Sequence, residues 1–576
     1  MRKKITQALV VMWLVAGPLF WRFDLSKGHL GYYDVLSMAP YSLVHAAIFF
    51  ALLSIVWYAD KHSPFVALSL VLYYPMIQLA NYPFLTYRDV YLHGAPVRTL
   101  LSTGGLDYPR DPDVEFWPST YVFQGLASIV LGCDLTVANY ILYMAVLVAL
   151  ALVTLCLATC VLKEGGYILA WVCAPLYLAL LNSHMYQVQS YGRAELSLVY
   201  LALFLLSFTQ SNSGGHRVMQ LFLTICLATT HPFNALFTVS FLFVYVAAGI
   251  LARSQNVLSQ EFRMAAFSGV VFLTWWAFNA WPNFEMAVPY FLRSVLSSEY
   301  LVPIARATTI TDPLPLWGIM LRNYYKYCLL GLLLIGAVAS SFILFAGRRS
   351  FSLSRAPITL MSLYVVSGLF VFIMLGMRSW SMERAVSYMT IPAALSSIPS
   401  AAYVITKVKG RVLTGKRFTG LLMLFILSLL LTTTALRFQD NRYYSELDHP
   451  SELSCLSHLF TKSDHQLTVA GSWRTVIYCK YFDYTGERRL LMYENIWDVI
   501  DRLIKDEESE LLLYLSQTIN QSDILITGLR DNYILFDRLS QNQEIVRKIG
   551  DEIVTRKFNK VYTNEYYSLY SRPANG

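Results

Sequence analysis

From Asp134 to Leu162 the chain reads DLTVANYILYMAVLVALALVTLCLATCVL, and after the opening aspartate it carries no charged side chain until Lys163. A helix needs roughly 20 apolar residues to cross the hydrocarbon core of a bilayer, so this stretch reads as a membrane span and sets the fold class. Working outward, the same reading places earlier spans at 5–23, 36–58 and 64–80. Later ones fall at 166–182, 194–210, 217–231, 233–251, 265–281, 324–346, 357–377, 385–405 and 418–436, for 13 in all. The expected fold is a polytopic α-helical membrane protein over residues 1–436. Its first span follows Met1-Arg2-Lys3-Lys4, as a secretory signal would, but no small-x-small cleavage pattern follows, and it reads as an uncleaved anchor.

Composition agrees. The 45 Lys and Arg and 37 Asp and Glu make 82 charged residues among 576, and 56% of positions are hydrophobic. Soluble domains carry roughly a quarter charged residues. A disordered, collagen-like or disulfide-framework class is excluded, as is a single soluble domain. The charge is also uneven, because residues 437–576 hold 17 basic and 21 acidic residues, 38 of the 82. That tail is expected to form a soluble α/β domain. Strand-like runs Leu467–Gly471 and Asp523–Gly528 alternate there with helix-like stretches Trp497–Lys505 and Glu510–Asn520. A closing hairpin is expected over Lys560–Tyr570, with Asn564 at the turn.

Alternating the connections from a cytoplasmic N-terminus puts 16 basic and 3 acidic residues on the cytoplasmic side, against 12 basic and 13 acidic on the other. Lys and Arg favour the cytoplasmic side, so this orientation is expected, and 13 crossings then leave the tail on the extracytoplasmic face. The net charge of +8 is accounted for by those loops, and nucleic acid is not an expected partner. Cys156, Cys160, Cys173 and Cys226 lie in apolar runs and read as small hydrophobes. Cys455 and Cys479 in the tail read either as one disulfide or as two free thiols.

Charged residues inside a bilayer are costly and usually functional, yet only His45 falls well inside a span. Candidate groups gather instead at the outer ends of spans: Asp89, His93, Arg193, Glu195, His231, Arg378, Glu383 and Arg384. The most informative segment is Tyr87-Arg88-Asp89-Val90-Tyr91-Leu92-His93, followed by Tyr108-Pro109 and Trp117-Pro118. Spacing of four places Asp89 and His93 on one helical face. They read either as a capping carboxylate with an interfacial histidine, or as a general base with an imidazole that orients a neighbour. Gly410-Arg411-Val412-Leu413-Thr414-Gly415-Lys416-Arg417 is close to a phosphate-binding loop, but Arg417 stands where Ser or Thr must bind magnesium, and no strand precedes it. It is discarded.

The segment around Asp89 and His93, continuing through Phe123-Gln124-Gly125-Leu126 to Leu131-Gly132-Cys133-Asp134, resembles the first outer loop of the GT-C superfamily of membrane glycosyltransferases. Thr230-His231-Pro232, and Met382-Glu383-Arg384-Ala385 leading into Ile391-Pro392-Ala393-Ala394-Leu395, are similar to that superfamily's pattern, as is the layout of many spans followed by an outer soluble domain. The chain differs in carrying two further spans ahead of the one that enters this loop. The resemblance implies a polyprenyl phosphate-linked sugar donor, and a lipid, glycan or protein acceptor at the outer membrane face. Asp89 would be the base that deprotonates the acceptor hydroxyl, in an inverting transfer, and His93 would touch substrate or support Asp89. The same resemblance makes Arg378, Arg384 and His231 candidates for the donor phosphate, and Arg193 and Glu195 for the acceptor or for supporting contacts. Read as residues, the two arginines serve equally as snorkelling anchors, His231 as a cap between helices, and Arg193 with Glu195 as a surface pair. Ser190-Tyr191-Gly192-Arg193-Ala194-Glu195 has one acid and no acidic pair, so a divalent metal is not supported and the cofactor is left undefined. The long connection 282–322 reads as a lid. A lipid or polysaccharide flippase, and a non-catalytic scaffold, are the rival functions. The sparsely charged span interiors count against an ion-coupled carrier.

Overall fold

The computed structural model describes Ile5, residues 88–105, 117–162, 192–209, 214–251, 255–281, 331, 334–339, 357–374, 388–389, 391–393 and 395–396, and five strands between 469 and 571. Eight helices have definite bounds there: α1 Arg88–Thr103, α2 Ser119–Leu131, α3 Leu135–Leu162, α4 Arg193–Thr209, α5 Gly214–Thr230, α6 Pro232–Leu251, α7 Gln255–Phe278 and α8 Pro357–Met374. Apart from Ile5, the spans expected at 5–23, 36–58, 64–80, 166–182 and 418–436, the lid 282–322, His45, Arg378, Glu383, Arg384, Cys173, Cys455 and Cys479 lie outside the described residues, as do most of 324–346 and 385–405.

Where both exist, the expected spans and the helices coincide. The opening stretch is α3, whose segment Leu135–Leu157 is 23 residues long; among the described residues it is the one helix long and apolar enough to cross a membrane. α7 begins at Gln255, ten residues before the expected 265. Gln260, Glu261 and Arg263 in its first turns lower the hydropathy without interrupting the backbone hydrogen bonds of the helix. The connection 81–133 between expected spans also holds helices, since α1 and α2 occupy much of it.

α1 packs on α2, and α2 on both α3 and α5. α4 lies between α3 and α5, while α6 packs against α7 and α8. A hydroxyl pair, Thr224 and Ser268 at 3.3 Å, joins α5 to α7. Around α6 the core is aromatic: Phe237 meets Tyr388 edge-on at 5.7 Å and Tyr364 at 6.4 Å, and Phe241 stands 5.6 Å from Tyr364.

α2 is inside out by the standards of a water-soluble protein. Its buried face is Thr120, Tyr121, Gln124, Gly125 and Ser128, whereas Phe123, Leu126, Ile129 and Val130 stand exposed. Large apolar groups also face outward on α5 (Val218, Phe222) and α7 (Val270, Leu273, Phe278). Exposing such a surface to water is costly; to lipid it costs nothing, because lipid tails are as apolar as the side chains. α2 ends at Gly132, whose φ of 59° is left-handed, with Gly132 N–H donating to the Ile129 carbonyl and Cys133 N–H to that of Ser128. Glycine adopts this conformation without the Cβ penalty, and the chain turns directly into α3.

The tail contains a mixed five-stranded sheet: β1 Val469–Gly471, β2 Leu490–Met492, β3 Ile524–Gly528, β4 Asn559–Thr563 and β5 Tyr567–Ser571, in the order β2-β1-β3-β5-β4. β1 is parallel to both β2 and β3, while β5 is antiparallel to β3 and β4. Parallel neighbours need crossover connections of a dozen residues or more; the helix-like stretches Trp497–Lys505 and Glu510–Asn520 expected in this tail lie outside the described residues. β4 and β5 pair as the expected hairpin, with a register shift between Lys560 and Tyr562.

Candidate functional site

Several helix termini meet at one end of the bundle, and the sequence-predicted histidines sit among them. Asp89 is the second residue of α1, where a carboxylate is favoured by the positive end of the helix dipole; its side chain lies outside the described part. One turn on, His93 is half-buried, and its Nδ1 lies 3.1 Å from the Tyr121 hydroxyl in the first turn of α2. The rings are tilted at 52° with centroids 5.8 Å apart.

Two residues before Tyr121, the Ser119 hydroxyl meets the Thr229 hydroxyl at 2.5 Å, fastening the start of α2 to the last turn of α5. α5 ends at Thr230, and His231 links it to α6. Its N–H donates to the Leu227 carbonyl, and its own carbonyl accepts from Ala235 N–H. Pro232 lacks an N–H and suits the first position of α6. His231 is only 5% exposed, and its Nδ1 lies 3.4 Å from the hydroxyl of buried Tyr388. Trp117, just ahead of α2, meets Trp276 near the end of α7 edge-on at 6.5 Å.

The start of α4 joins the same end. Asn234, in the first turn of α6, donates from its amide to the Ser197 hydroxyl of α4. Its amide oxygen is buried without a hydrogen-bond partner. Glu195 occupies the third position of α4 and is 5% exposed, so it is buried and not the surface residue that one reading of the sequence made it. Its carboxylate folds back over Gly192, where a Cβ would stand 2.5 Å from Oε2. That is the position from which a capping-box carboxylate reaches the first amides of a helix. Arg193 beside it is half-buried.

His93, His231 and Glu195 are thus linked by an unbroken run of contacts and chain neighbours: His93, Tyr121, Ser119, Thr229, His231, Asn234, Ser197, Glu195. Such an end offers two imidazoles, a buried carboxylate and several hydroxyls, a set able to bind an anion and a hydroxylated ligand. Among the described residues no three His, Cys, Asp or Glu side chains gather to hold a metal ion. Sequence reasoning missed Tyr121, Tyr388, Asn234 and Ser197. One signal for Tyr388 was available, since it lies four residues after Arg384 in the sequence.

No family model and no curated protein matches the chain. Among solved structures, it is similar to the archaeal oligosaccharyltransferase AglB from Archaeoglobus fulgidus in complex with an inhibitory peptide and a dolichol-phosphate. The TM-score is 0.50 at 10% identity, over 89% of this chain and 74% of that one. It is also similar to ArnT from Cupriavidus metallidurans bound to undecaprenyl phosphate, with a TM-score of 0.44 at 11% identity over 92% of this chain and 98% of that one. Both are GT-C superfamily glycosyltransferases, and at 10% identity the likeness to AglB is one of fold.

Proposed function

We propose that this chain, which shares its fold with a GT-C glycosyltransferase, is an integral membrane glycosyltransferase. It moves a sugar from a polyprenyl phosphate-linked donor to an acceptor at the extracytoplasmic face. The observation that supports the reading is the run of pairwise contacts and chain neighbours that leads from His93, one turn after Asp89 on α1, through His231 to Glu195, in a bundle with large apolar groups exposed on α2, α5 and α7. Thirteen spans over 1–436, a cytoplasmic N-terminus and an extracytoplasmic α/β domain over 437–576 complete the proposed architecture. The support for that orientation is the excess of basic residues in the connections assigned to the cytoplasm.

In this mechanism the Asp89 carboxylate takes the proton of the acceptor hydroxyl as the new bond forms to the anomeric carbon. The bond from that carbon to the donor phosphate breaks in line, giving inversion. Negative charge then grows on the leaving phosphate. Arg378, Arg384 and His231 meet it with charge-assisted hydrogen bonds, and losing one such donor costs about 3–4 kcal/mol of barrier in a comparable site. His93 orients Asp89 or the acceptor, while Arg193 and the buried Glu195 contact the acceptor or brace the residues that do. The acceptor is a lipid, glycan or protein bearing a free nucleophile. No step is routed through a metal.

The test is transfer of a radiolabelled sugar from a panel of synthetic polyprenyl phosphate sugars by the purified protein in nanodiscs. Labelled product with at least one donor is expected. Lipid movement across the bilayer without transfer would mark a flippase, and neither activity would mark a scaffold.

A further inference from the structure

α2 is 13 residues long and carries no charged side chain. At 1.5 Å per residue it measures about 20 Å, too short to cross a hydrocarbon core of about 30 Å. Yet Phe123, Leu126 and Val130 recur at the spacing of one helical face, with Ile129 beside them, and all four are exposed, Val130 by 80%. The opposite face, Thr120, Tyr121, Gln124, Gly125 and Ser128, is buried. Both ends of the helix are pinned. The Ser119 hydroxyl bonds that of Thr229 in the last turn of α5, and the left-handed Gly132 turns the chain into α3. In the proposed topology the end of α5 and the start of α3 are both outer ends of spans, so α2 runs along the outer edge of the bundle and not through it. Its apolar stripe also continues onto α3. Past the Gly132 turn, Val137 and Ile141 stand exposed about one helical turn apart on a helix long and apolar enough to cross a membrane.

From the short length, the pinned ends and this continuity we infer that α2 is an interfacial helix. It lies in the outer leaflet at the boundary of headgroups and acyl chains, with Phe123, Leu126, Ile129 and Val130 among the chains. Water against that stripe would leave large apolar groups unburied, at about 25 cal/mol for each Å². Helices that bind a membrane surface unaided turn a polar, usually basic face to headgroups and water. α2 instead turns its polar face to the bundle, so protein covers one side and lipid the other. On the protein side it carries Ser119 and Tyr121, and the Tyr121 hydroxyl lies 3.1 Å from His93 Nδ1. The bilayer therefore backs one wall of the candidate site. The inference rests on the span topology of the proposed architecture and not on sugar transfer.

The experiment uses the full chain in nanodiscs, with trifluoromethyl-phenylalanine placed singly at the Phe123, Leu126 or Val130 position and, as a depth reference, at Phe222. Phe222 is exposed on α5, eight residues before its last residue, and so about 12 Å deeper by helical rise. Fluorine NMR then reads the line broadening caused by lipids with a nitroxide near the headgroup, by lipids with a nitroxide near the chain end, and by a water-soluble gadolinium chelate. The α2 signals should broaden most with the shallow nitroxide, the Phe222 signal most with the deep one, and none strongly with the chelate. The label at Phe123 is nearly isosteric and keeps the test intact if the bulkier replacements at Leu126 and Val130 prevent folding. Broadening of the α2 signals by the chelate alone would place the stripe in water, and broadening by none of the three would place it under protein; either result overturns the inference. A Phe222 signal blind to both lipid nitroxides would overturn the span topology and the inference with it. α2 signals that follow the shallow nitroxide, in a protein that transfers no sugar, would uphold the inference and overturn the glycosyltransferase reading instead.

Discussion

Replacing Gly368 by alanine should destabilise the bundle and disturb the site through a traceable path. Gly368 lies within α8, where an added Cβ would stand 2.6 Å from Met389 Sδ, 2.8 Å from Met389 Cγ and 2.8 Å from Phe237 Cε1. Non-bonded carbons settle at about 3.5–4.0 Å, so the neighbours must retreat by roughly 1 Å. The Met389 thioether can swing to another rotamer. Phe237 has no such freedom, being 1% exposed and boxed between Tyr364 and Tyr388. The strain therefore passes to the α6 to α8 contact and to Tyr388, the partner of His231. Overpacking of this kind costs about 1–3 kcal/mol. Gly269→Ala on α7 is the matched control, because there the Cβ would meet only the tip of exposed Phe243 at 3.4 Å. Removing a helix-interior glycine should stabilise by about 0.5–1 kcal/mol. Denaturant or thermal unfolding of both variants in the same detergent should move the midpoints in opposite directions. Equal midpoints, or a Gly368→Ala variant as stable as the wild type, would refute the packing argument.

The buried carboxylate of Glu195 and the glycine it folds over, Gly192, should behave as one unit. Gly192→Ala and Glu195→Ala are each expected to cost about 1–2 kcal/mol, and the double variant should cost clearly less than their sum in a double-mutant cycle. Asn234→Ala removes the tie from α6 to α4 and should cost about 1–3 kcal/mol of unfolding free energy. For the proposed orientation, a protease added to sealed right-side-out vesicles should remove residues 437–576, whereas inside-out vesicles should protect them, as read by immunoblotting against the C-terminus.

Hydropathy carried much of the fold. Spans read from apolar length lie within a few residues of α3, α4, α5, α6 and α8, because a helix that meets lipid must be apolar along its whole exposed length. It failed at the start of α7, where Glu261 and Arg263 belong to the helix but not to its apolar part. It was also silent about α2, since an amphipathic pattern is the same whether the apolar stripe faces protein or lipid. Within the described residues, the candidate site's histidines could be picked out from the sequence. His93 and His231 stand out as titratable groups at the ends of apolar runs. Their partners did not, because Tyr121 and Tyr388 lie 28 and 157 residues away and tyrosine is common throughout the chain. The depth of Glu195 was equally hidden, for burial at a helix start depends on which neighbouring helix covers it.

The central claim turns on Asp89. In nanodiscs, single-turnover transfer from a polyprenyl phosphate sugar should be measured for the wild type and for Asp89→Asn, alongside undecaprenyl phosphate binding by both. If Asp89 is the base, the variant should bind the lipid phosphate as the wild type does and transfer about 10²–10⁴-fold more slowly, the usual contribution of a general base. Transfer by Asp89→Asn at the wild-type rate would contradict that role, and lipid movement without transfer in the wild type would contradict the enzyme.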